Sequence, residues 1–547
     1  MTTLFLIVIA AVILVCVWLN NLSLRIGIPT LLVFMLLGIL FSSTGLWPID
    51  FDDQEFAEQV CSVALLFIMF YGGFGTRWKA VRPVLREAAL LASLGVLLTS
   101  GMIGLFLHFA LGWSWAESML FGAVMGSTDA ASVFSILRSK RLGLKNNTAP
   151  MLEVESGSND PAAYMMTGIL LAVMSGSTTG GSITWLIVAQ ILFGTLGGMI
   201  IARLATLWFR NMKIQTQGFD SLFILGTAIA AYAVPTLAGG NGYLSVYIAG
   251  IILGNEEFQD KKSLVNFFDG VTSLMQVLIF FMLGLLARPA ELAQAILPAL
   301  VIYGFMLLIA RPAAVFAILT PFRKYPFKQQ AFISFVGLRG ASSIVFAIMA
   351  TVYYDNLLHD FFNITFCLVL LSISLQGALI PWMARKLDII DRHADVMKTF
   401  NDYSDNTPMR FGRISIQPGG PWANKRVKEL ILPGTMLLTM IIRGEERLLP
   451  RGETQLLPGD DVIIMARGFE DKKTYLQEKT VKVDSRRVGQ PISRYPGKGL
   501  IMMIRRGDEI IIPEGDTVLA AGDKLVILKL EQDQPTGSRR GLGSRSS

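Results

Sequence analysis

Long apolar runs recur along the first 387 residues, each interrupted by a short polar connection. A run of about 20 apolar residues crosses a bilayer as a helix. The pattern therefore predicts about thirteen spans. Their limits are 4–20, 28–44, 57–76, 86–110, 115–138, 149–175, 183–209, 219–236, 241–254, 268–287, 293–319, 328–352 and 361–384. The ninth is short for a crossing. After residue 387 the pattern changes to short β-branched runs between Gly-Asp, Arg-Gly and Pro-Gly turns, which predicts strands and hairpins.

The charge pattern tests the span count. Alternate connections carry Arg25; Arg77, Lys79, Arg82 and Arg86; Arg138, Lys140, Arg141 and Lys145; Arg210 and Lys213; Lys261 and Lys262; Arg323, Lys324 and Lys328. The intervening connections carry almost none, Arg288 being the exception. Basic residues stay on the cytoplasmic side. The N-terminus is then outside, and an odd number of spans puts the C-terminal tail in the cytoplasm. Arg385 and Lys386, after the last span, agree.

The tail carries an internal repeat at an offset of about 63 residues, longer than the usual solenoid period. Pro433-Gly434, Ile442-Arg443-Gly444-Glu445, Pro450-Arg451-Gly452-Glu453-Thr454 and Gly459-Asp460-Asp461 form one copy. Pro496-Gly497, Arg505-Arg506-Gly507-Asp508, Pro513-Glu514-Gly515-Asp516-Thr517 and Gly522-Asp523 form the other. The expected organisation is a membrane domain over 1–387 and a linker over 388–411. Two small β-rich (α+β) modules follow over 412–470 and 471–532, then a disordered end over 533–547.

Composition agrees with a polytopic α-helical membrane protein: 52% of residues are hydrophobic and only 16% charged. The net charge of +7 reflects cytoplasmic loops and the tail. Without an aromatic-interleaved basic groove, nucleic acid is not an expected partner; lipid is. Cys16, Cys61 and Cys367 lack metal-ligand spacing, and His108, His359 and His393 are scattered. The N-terminus lacks the basic flank and small-residue cleavage site of a removable signal, so residues 4–19 read as a retained span.

The chemistry sits at membrane depth. Glu155-Ser156-Gly157-Ser158-Asn159-Asp160-Pro161 opens an otherwise apolar segment, and Gly126-Ser127-Thr128-Asp129 lies inside the preceding one. Ionisable groups there are costly and mark ion or proton pathways unless paired away. Residues four apart share a helix face, so Ser156 and Asp160 face one way and Glu155 and Asn159 an adjacent way. The Gly- and hydroxyl-rich stretch around Asp129 can leave helical geometry and expose carbonyls to an ion. Gly337-Leu338-Arg339-Gly340-Ala341-Ser342-Ser343 is a matching interruption seven spans later. In a fold of inverted repeats those two segments are symmetry mates that cross as broken helices near the site. Arg339 offsets the negative helix ends, and Glu155 is its candidate ion-pair partner.

A buried carboxylate is costly to ionise, so it holds either a proton or a small cation, not both. One site with two exclusive occupants, opened alternately to each side, is sufficient for antiport. Asp160 is the candidate exchanging carboxylate for the monovalent cation, Thr128, Asp129 and Ser156 are helper ligands, and Asn159 orients them without adding charge. Plainer readings stay open. These are the two Asp residues as merely paired structural charges, the weakest of them given the cost of such groups, Glu155 and Arg339 as a purely structural pair, and Thr128, Ser156 and the glycines as helix-packing residues.

Ser-Thr-Asp in one span, Glu-Ser-x-x-Asn-Asp-Pro in the next and Gly-Leu-Arg-Gly later resemble the monovalent cation/proton antiporter superfamily, in its sodium/proton exchanger branch. The likeness runs through residues 1–387. It implies a homodimer in a bacterial inner (plasma) membrane, with a dimerisation domain and a moving core. By motif it makes Asp160, Asp129, Thr128 and Ser156 the ion site and Glu155 with Arg339 a structural pair. An Asp stands at the place of Asn159 in the electrogenic branch, so the resemblance implies electroneutral exchange. Relatives often carry an acid near Tyr71, and this chain has none there.

Each tail copy resembles the TrkA-C modules of bacterial potassium-uptake and potassium-channel regulators. That likeness implies regulation by a small ligand and favours K+ as cargo, with Na+ and H+ the other transported ions. Such paired modules bind cyclic di-AMP in some relatives. Arg443 and Arg506 are candidate phosphate-binding cations, with Arg447 and Arg505 beside them; a solvated strand end is the plainer role. No Gly-x-Gly-x-x-Gly domain accompanies the modules, and no cofactor is expected. A ligand-gated cation channel is the alternative, but the spans hold no Thr-Val-Gly-Tyr-Gly-like filter. A membrane hydrolase using Asp129 and Asp160 leaves the Arg339 motif unexplained.

Overall fold

Backbone polar groups at membrane depth must be satisfied within the segment that carries them, so apolar runs fold as helices. The computed structural model describes residues 10–19, 29–43, 49, 51–140, 142–176, 180–211, 218–256, 261–354 and 356–391 of the membrane region, and most of 409–467, 474–481, 488–494 and 500–530 of the tail. Helices lie in every stretch where the pattern predicts a span. Among the described residues, seven are long and apolar enough to cross a membrane: Gln54–Gly75, Leu85–Leu111, Gly181–Asn211, Phe219–Leu237, Ser263–Leu286, Pro289–Phe322 and Phe361–Lys386. The expected positions of Arg25, Arg141 and Lys213, most of the linker and the C-terminal end lie outside the described residues.

Local chemistry sets several boundaries. Ser114, Asp53, Asn241 and Asp360 each cap a helix start by accepting a backbone N–H three residues on. Gly112 ends Val96–Leu111 in the left-handed region at φ 72°. The short ninth segment, Gly242–Gly254, is 13 residues, about 20 Å long. It is held by close packing: Gly73, Gly250 and Gly254 bring its backbone against that of Gln54–Gly75, where any Cβ would overlap a carbonyl.

Among the described residues, three long helices contain a π-helical turn, at Leu91–Gly95, Met306–Ala310 and Ser372–Gln376. Two segments are broken outright. Trp115–Val124 stops, and Ala130–Ser139 begins after five residues of irregular backbone. Phe327–Phe335 and Ala341–Tyr353 are parted in the same way. These are the two segments whose composition predicts broken helices. Thr148–Met174 runs unbroken through Pro161 beside them.

The chain divides into two units, residues 1–403 and 404–547. The expected linker is not wholly irregular. Ile390–Asp391 pairs antiparallel with Gly143–Leu144, and the first tail strand starts at Met409, inside the range assigned to the linker. The tail holds two four-stranded antiparallel sheets of one topology. One runs Met409–Ser415, Asp461–Arg467, Met436–Arg443, Glu446–Leu448; the other runs Thr474–Thr480, Lys524–Leu530, Leu500–Arg506, Glu509–Ile511. The internal repeat is thus a structural repeat, each copy with its own small apolar core around Ile441 or Ile504. The turns at 433–435 and 495–499 lie outside the described residues.

Candidate ion site

The two breaks meet. The backbone N–H of Asp129 donates to the carbonyl of Leu338 at 2.8 Å. Around this contact the helix ends leave carbonyls without intrahelical partners, and buried side chains answer them. Arg339, 1% exposed, donates to the Ser127 carbonyl. Its Nε lies 3.1 Å from the Met306 sulfur, and its backbone N–H donates to Ser372 Oγ at 3.0 Å. Gln376 donates to the Phe335 carbonyl at the end of the first half-helix. Met306, Ser372 and Gln376 all belong to π-helical turns, so those irregularities supply the partners that hold the second break.

Thr148–Met174 presents its polar face to the first break. Ser156 Oγ donates to the Thr128 carbonyl at 2.6 Å. Asn159 accepts from the Thr128 backbone N–H at 3.2 Å and donates to Thr128 Oγ1 at 2.5 Å. Asn159 thus bonds the unwound Thr128 at both its backbone N–H and its hydroxyl without adding charge. Asp160, 5% exposed, accepts from Ser127 Oγ, which in turn lies 2.5 Å from Ser342 Oγ. Asp160, Asn159, Ser156 and Thr128 are therefore brought into one buried cluster.

Asp129 sits at its edge. Its carboxylate accepts from the Ser132 N–H (3.2 Å) and hydroxyl, capping the start of Ala130–Ser139. A Cβ at Gly340 would fall 2.6 Å from Asp129 Oδ2, so the second break needs glycine to admit this side chain. A small cavity of about 10 Å³ adjoins it, lined among others by Thr128, Asp129, Glu155, Ser156 and Arg311.

One expected pairing is wrong. Glu155 forms its salt bridge with Arg311, not with Arg339; both side chains are nearly inaccessible, at 1% and 6%. The reason is geometric. Arg339 is spent on the carbonyl and sulfur of the break, whereas Arg311, just after the π-helical turn Met306–Ala310, reaches the Glu155 face. Sequence reasoning missed Arg311, Ser342, Ser372 and Gln376. Arg311 had a signal: a lone basic residue inside an apolar span falls under the argument that singled out Asp160. Ser342 stood inside the interruption Gly337–Ser343 without a role assigned to it, and Ser372 and Gln376 had no signal.

The acid absent near Tyr71 is met from another helix. Tyr71 Oη donates to Asp269 Oδ1 at 3.2 Å, from Lys261–Leu286.

In the tail, the two candidate ligand cations are committed internally. Arg443 binds the buried Asp460 through two bonds of 2.8 Å, and the Gln455 carbonyl at 2.9 Å. Arg506 repeats this on Asp523 (2.8 and 2.9 Å) and the Val518 carbonyl (2.8 Å). Each guanidinium holds its Asp below the usual carboxylate range. Each arginine thus ties its strand to the neighbouring Gly-Asp turn of the module instead of standing as an open phosphate-binding cation.

Comparison with known proteins identifies the family. Residues 9–386 match the sodium/hydrogen exchanger transmembrane family, and residues 411–468 and 476–532 match the TrkA-C domain. The K(+)/H(+) antiporter NhaP of Alkalimonas amylolytica is 35% identical over 84% of this chain and 80% of its own length. The K(+)/H(+) antiporter NhaP2 of Shewanella baltica is 32% identical over 83% and 79%. In fold, the sodium proton antiporter MjNhaP1 of Methanocaldococcus jannaschii superposes with a TM-score of 0.60 at 22% identity, over 68% of this chain and 99% of that one. With the motif residues gathered at two crossed, broken helices, the chain belongs to the sodium/hydrogen exchanger family of cation/proton antiporters.

Proposed function

We propose that this antiporter exchanges K+ for H+, one for one, at Asp160. The observation that carries the reading is the setting of Asp160. It is buried, its hydrogen-bond partner is the Ser127 hydroxyl, and among the described residues no basic side chain pairs with it. Glu155 has its own arginine. Of the two carboxylates in the motif Glu155 to Asp160, Asp160 is thus the one available to trade a proton for a cation. Ser127, Ser156 and Thr128 supply the hard oxygen groups around it, with Asp129 at the edge. Asn159 is neutral, which leaves one exchanging charge and favours electroneutral exchange. Potassium is supported by the relatives named K(+)/H(+) antiporters and by the paired TrkA-C domains.

The alternation of basic loops supports thirteen crossings, an external N-terminus and a cytoplasmic tail in a bacterial inner membrane. The tail, from about residue 409, is two regulatory modules that bind a small ligand such as cyclic di-AMP. Because Arg443 and Arg506 are occupied, other groups contact that ligand. The working unit is a homodimer.

The test is proton flux in inside-out vesicles with an acid interior. Potassium added outside should release protons in the native protein and not in Asp160→Asn. Release by sodium alone would overturn the choice of cation. Full exchange by a well-inserted Asp160→Asn protein would overturn the site.

A further inference from the structure

A second carboxylate stands seven residues before Asp160, two helix turns away on the same face of Thr148–Met174. This is Glu153, 7% exposed, which the exchange described above does not use. Three residues on along the helix stands Ser156, which holds the Thr128 carbonyl. A carboxylate held out of water on the helix that bears the exchanging acid is costly to keep unless it has a task.

Its surroundings come from other helices. The Thr76 hydroxyl lies 2.8 Å from the Gly72 carbonyl and 3.1 Å from Glu153 Oε1, its one hydrogen shared between them. Thr76 is the residue that ends Gln54–Gly75, its backbone N–H bonded to the Gly73 carbonyl at 3.0 Å. Tyr247, from Gly242–Gly254, lies over Gly157, where an added Cβ would fall 2.6 Å from the phenol oxygen. That hydroxyl is buried with no hydrogen-bond partner, although the Thr76 and Ser158 hydroxyls lie near it. Beside a buried carboxylate, such a hydroxyl leaves oxygen lone pairs open to a cation.

We propose that Glu153, Thr76 and Tyr247 form an inner station for the transported monovalent cation, two helix turns from Asp160 on its cytoplasmic side. The proposal rests on the antiport reading and the orientation given above. One carboxylate and two hydroxyls are hard oxygen ligands suited to an alkali cation. The station collects the ion from the cytoplasm and passes it along one helix face to Asp160. Its ligands are divided between Thr148–Met174 and the packed pair Gln54–Gly75 and Gly242–Gly254. It is therefore complete only while those elements face each other as they do here.

The experiment is cation-dependent proton flux with the full-length protein in inside-out vesicles, potassium and sodium being the probes. Glu153→Gln should raise the apparent KM for the exchanged cation about tenfold while kcat falls less than about threefold. Glu153→Asp should recover most of the difference. Thr76→Val and Tyr247→Phe should each raise KM by about two- to threefold. An unchanged KM in inserted Glu153→Gln, with only kcat or thermal stability reduced, would make Glu153 a structural latch and overturn the station. Where Glu153→Gln fails to insert, an unchanged KM in both Thr76→Val and Tyr247→Phe overturns it equally. Asp160→Asn, assayed alongside, tests the central site separately: exchange surviving there would remove Asp160 from the reaction while leaving the KM comparison at Glu153 intact.

Discussion

Asp129 and Leu338 are joined backbone to backbone at 2.8 Å, although 209 positions separate them in the chain. The bond ties together the unwound centres of two helices that break for the same reason: glycines and hydroxyl residues in place of apolar side chains. Neither break is stable alone, because each leaves carbonyls stranded in an apolar interior. Together they share Arg339, Ser127 and Ser342. A change in one break is therefore felt in the other.

Gly340→Ala tests that coupling. The added methyl meets the Asp129 carboxylate, which caps Ala130–Ser139. We expect a loss of about 1–3 kcal/mol in stability, the usual cost of overpacking, together with impaired exchange. Thermal unfolding of the detergent-solubilised protein measures the first and vesicle flux the second. A native melting temperature with normal flux would mean the two breaks move independently.

Arg311→Ala should be the most damaging single change outside the ion site. It strands the buried Glu155 carboxylate, and breaking a buried ion pair costs about 3–5 kcal/mol. The double variant Glu155→Gln/Arg311→Met removes both charges and should regain most of the stability. If Arg311→Ala proved benign while Arg339→Ala released the Glu155 charge, the pairing would be the one expected from sequence after all.

Ser127→Ala and Ser342→Ala should weaken cation binding without unfolding the protein. Ser127 bonds Asp160 directly and Ser342 reaches it through Ser127. A hydroxyl bond of this kind contributes about 1 kcal/mol, or roughly a fivefold change in affinity. Ser343→Ala is the control, since the Ser343 hydroxyl is buried without a partner. Cation titrations that rank Ser343→Ala with the other two would remove Ser127 from the site.

The tail should lose structure in acid. Asp460 and Asp523 titrate lower when folded because Arg443 and Arg506 bond them. Their contribution is complete above the ordinary Asp value of about 4 and is lost as pH falls through the lower folded value. Amide exchange of Met436–Arg443 and Leu500–Arg506 in the whole protein should therefore quicken in acid beyond its intrinsic change. Arg443→Met should remove that pH dependence from the first strand only. Equal loss in both would mean the modules unfold together.

What the sequence alone determined is everything that follows from local pattern. Apolar runs became helices because no other structure satisfies a backbone in lipid. Gly126-Ser127-Thr128-Asp129 and Gly337-Leu338-Arg339-Gly340 became breaks because those residues neither fill an apolar helix nor cover its carbonyls. The face holding Ser156 and Asp160 follows from helical spacing, and the tail repeat from its matched Gly-Asp turns.

Partners across the chain were decided by tertiary structure. Glu155 met Arg311 instead of Arg339, and Tyr71 met an acid 198 positions away. Arg443 and Arg506 turned inward onto aspartates of their own modules. The physical reason is the same in each case. A charge in an apolar interior, or a carboxylate under a strand, must take whichever counter-charge the packing brings within about 3 Å, and that distance is set by helix crossings and turns that no local spacing records.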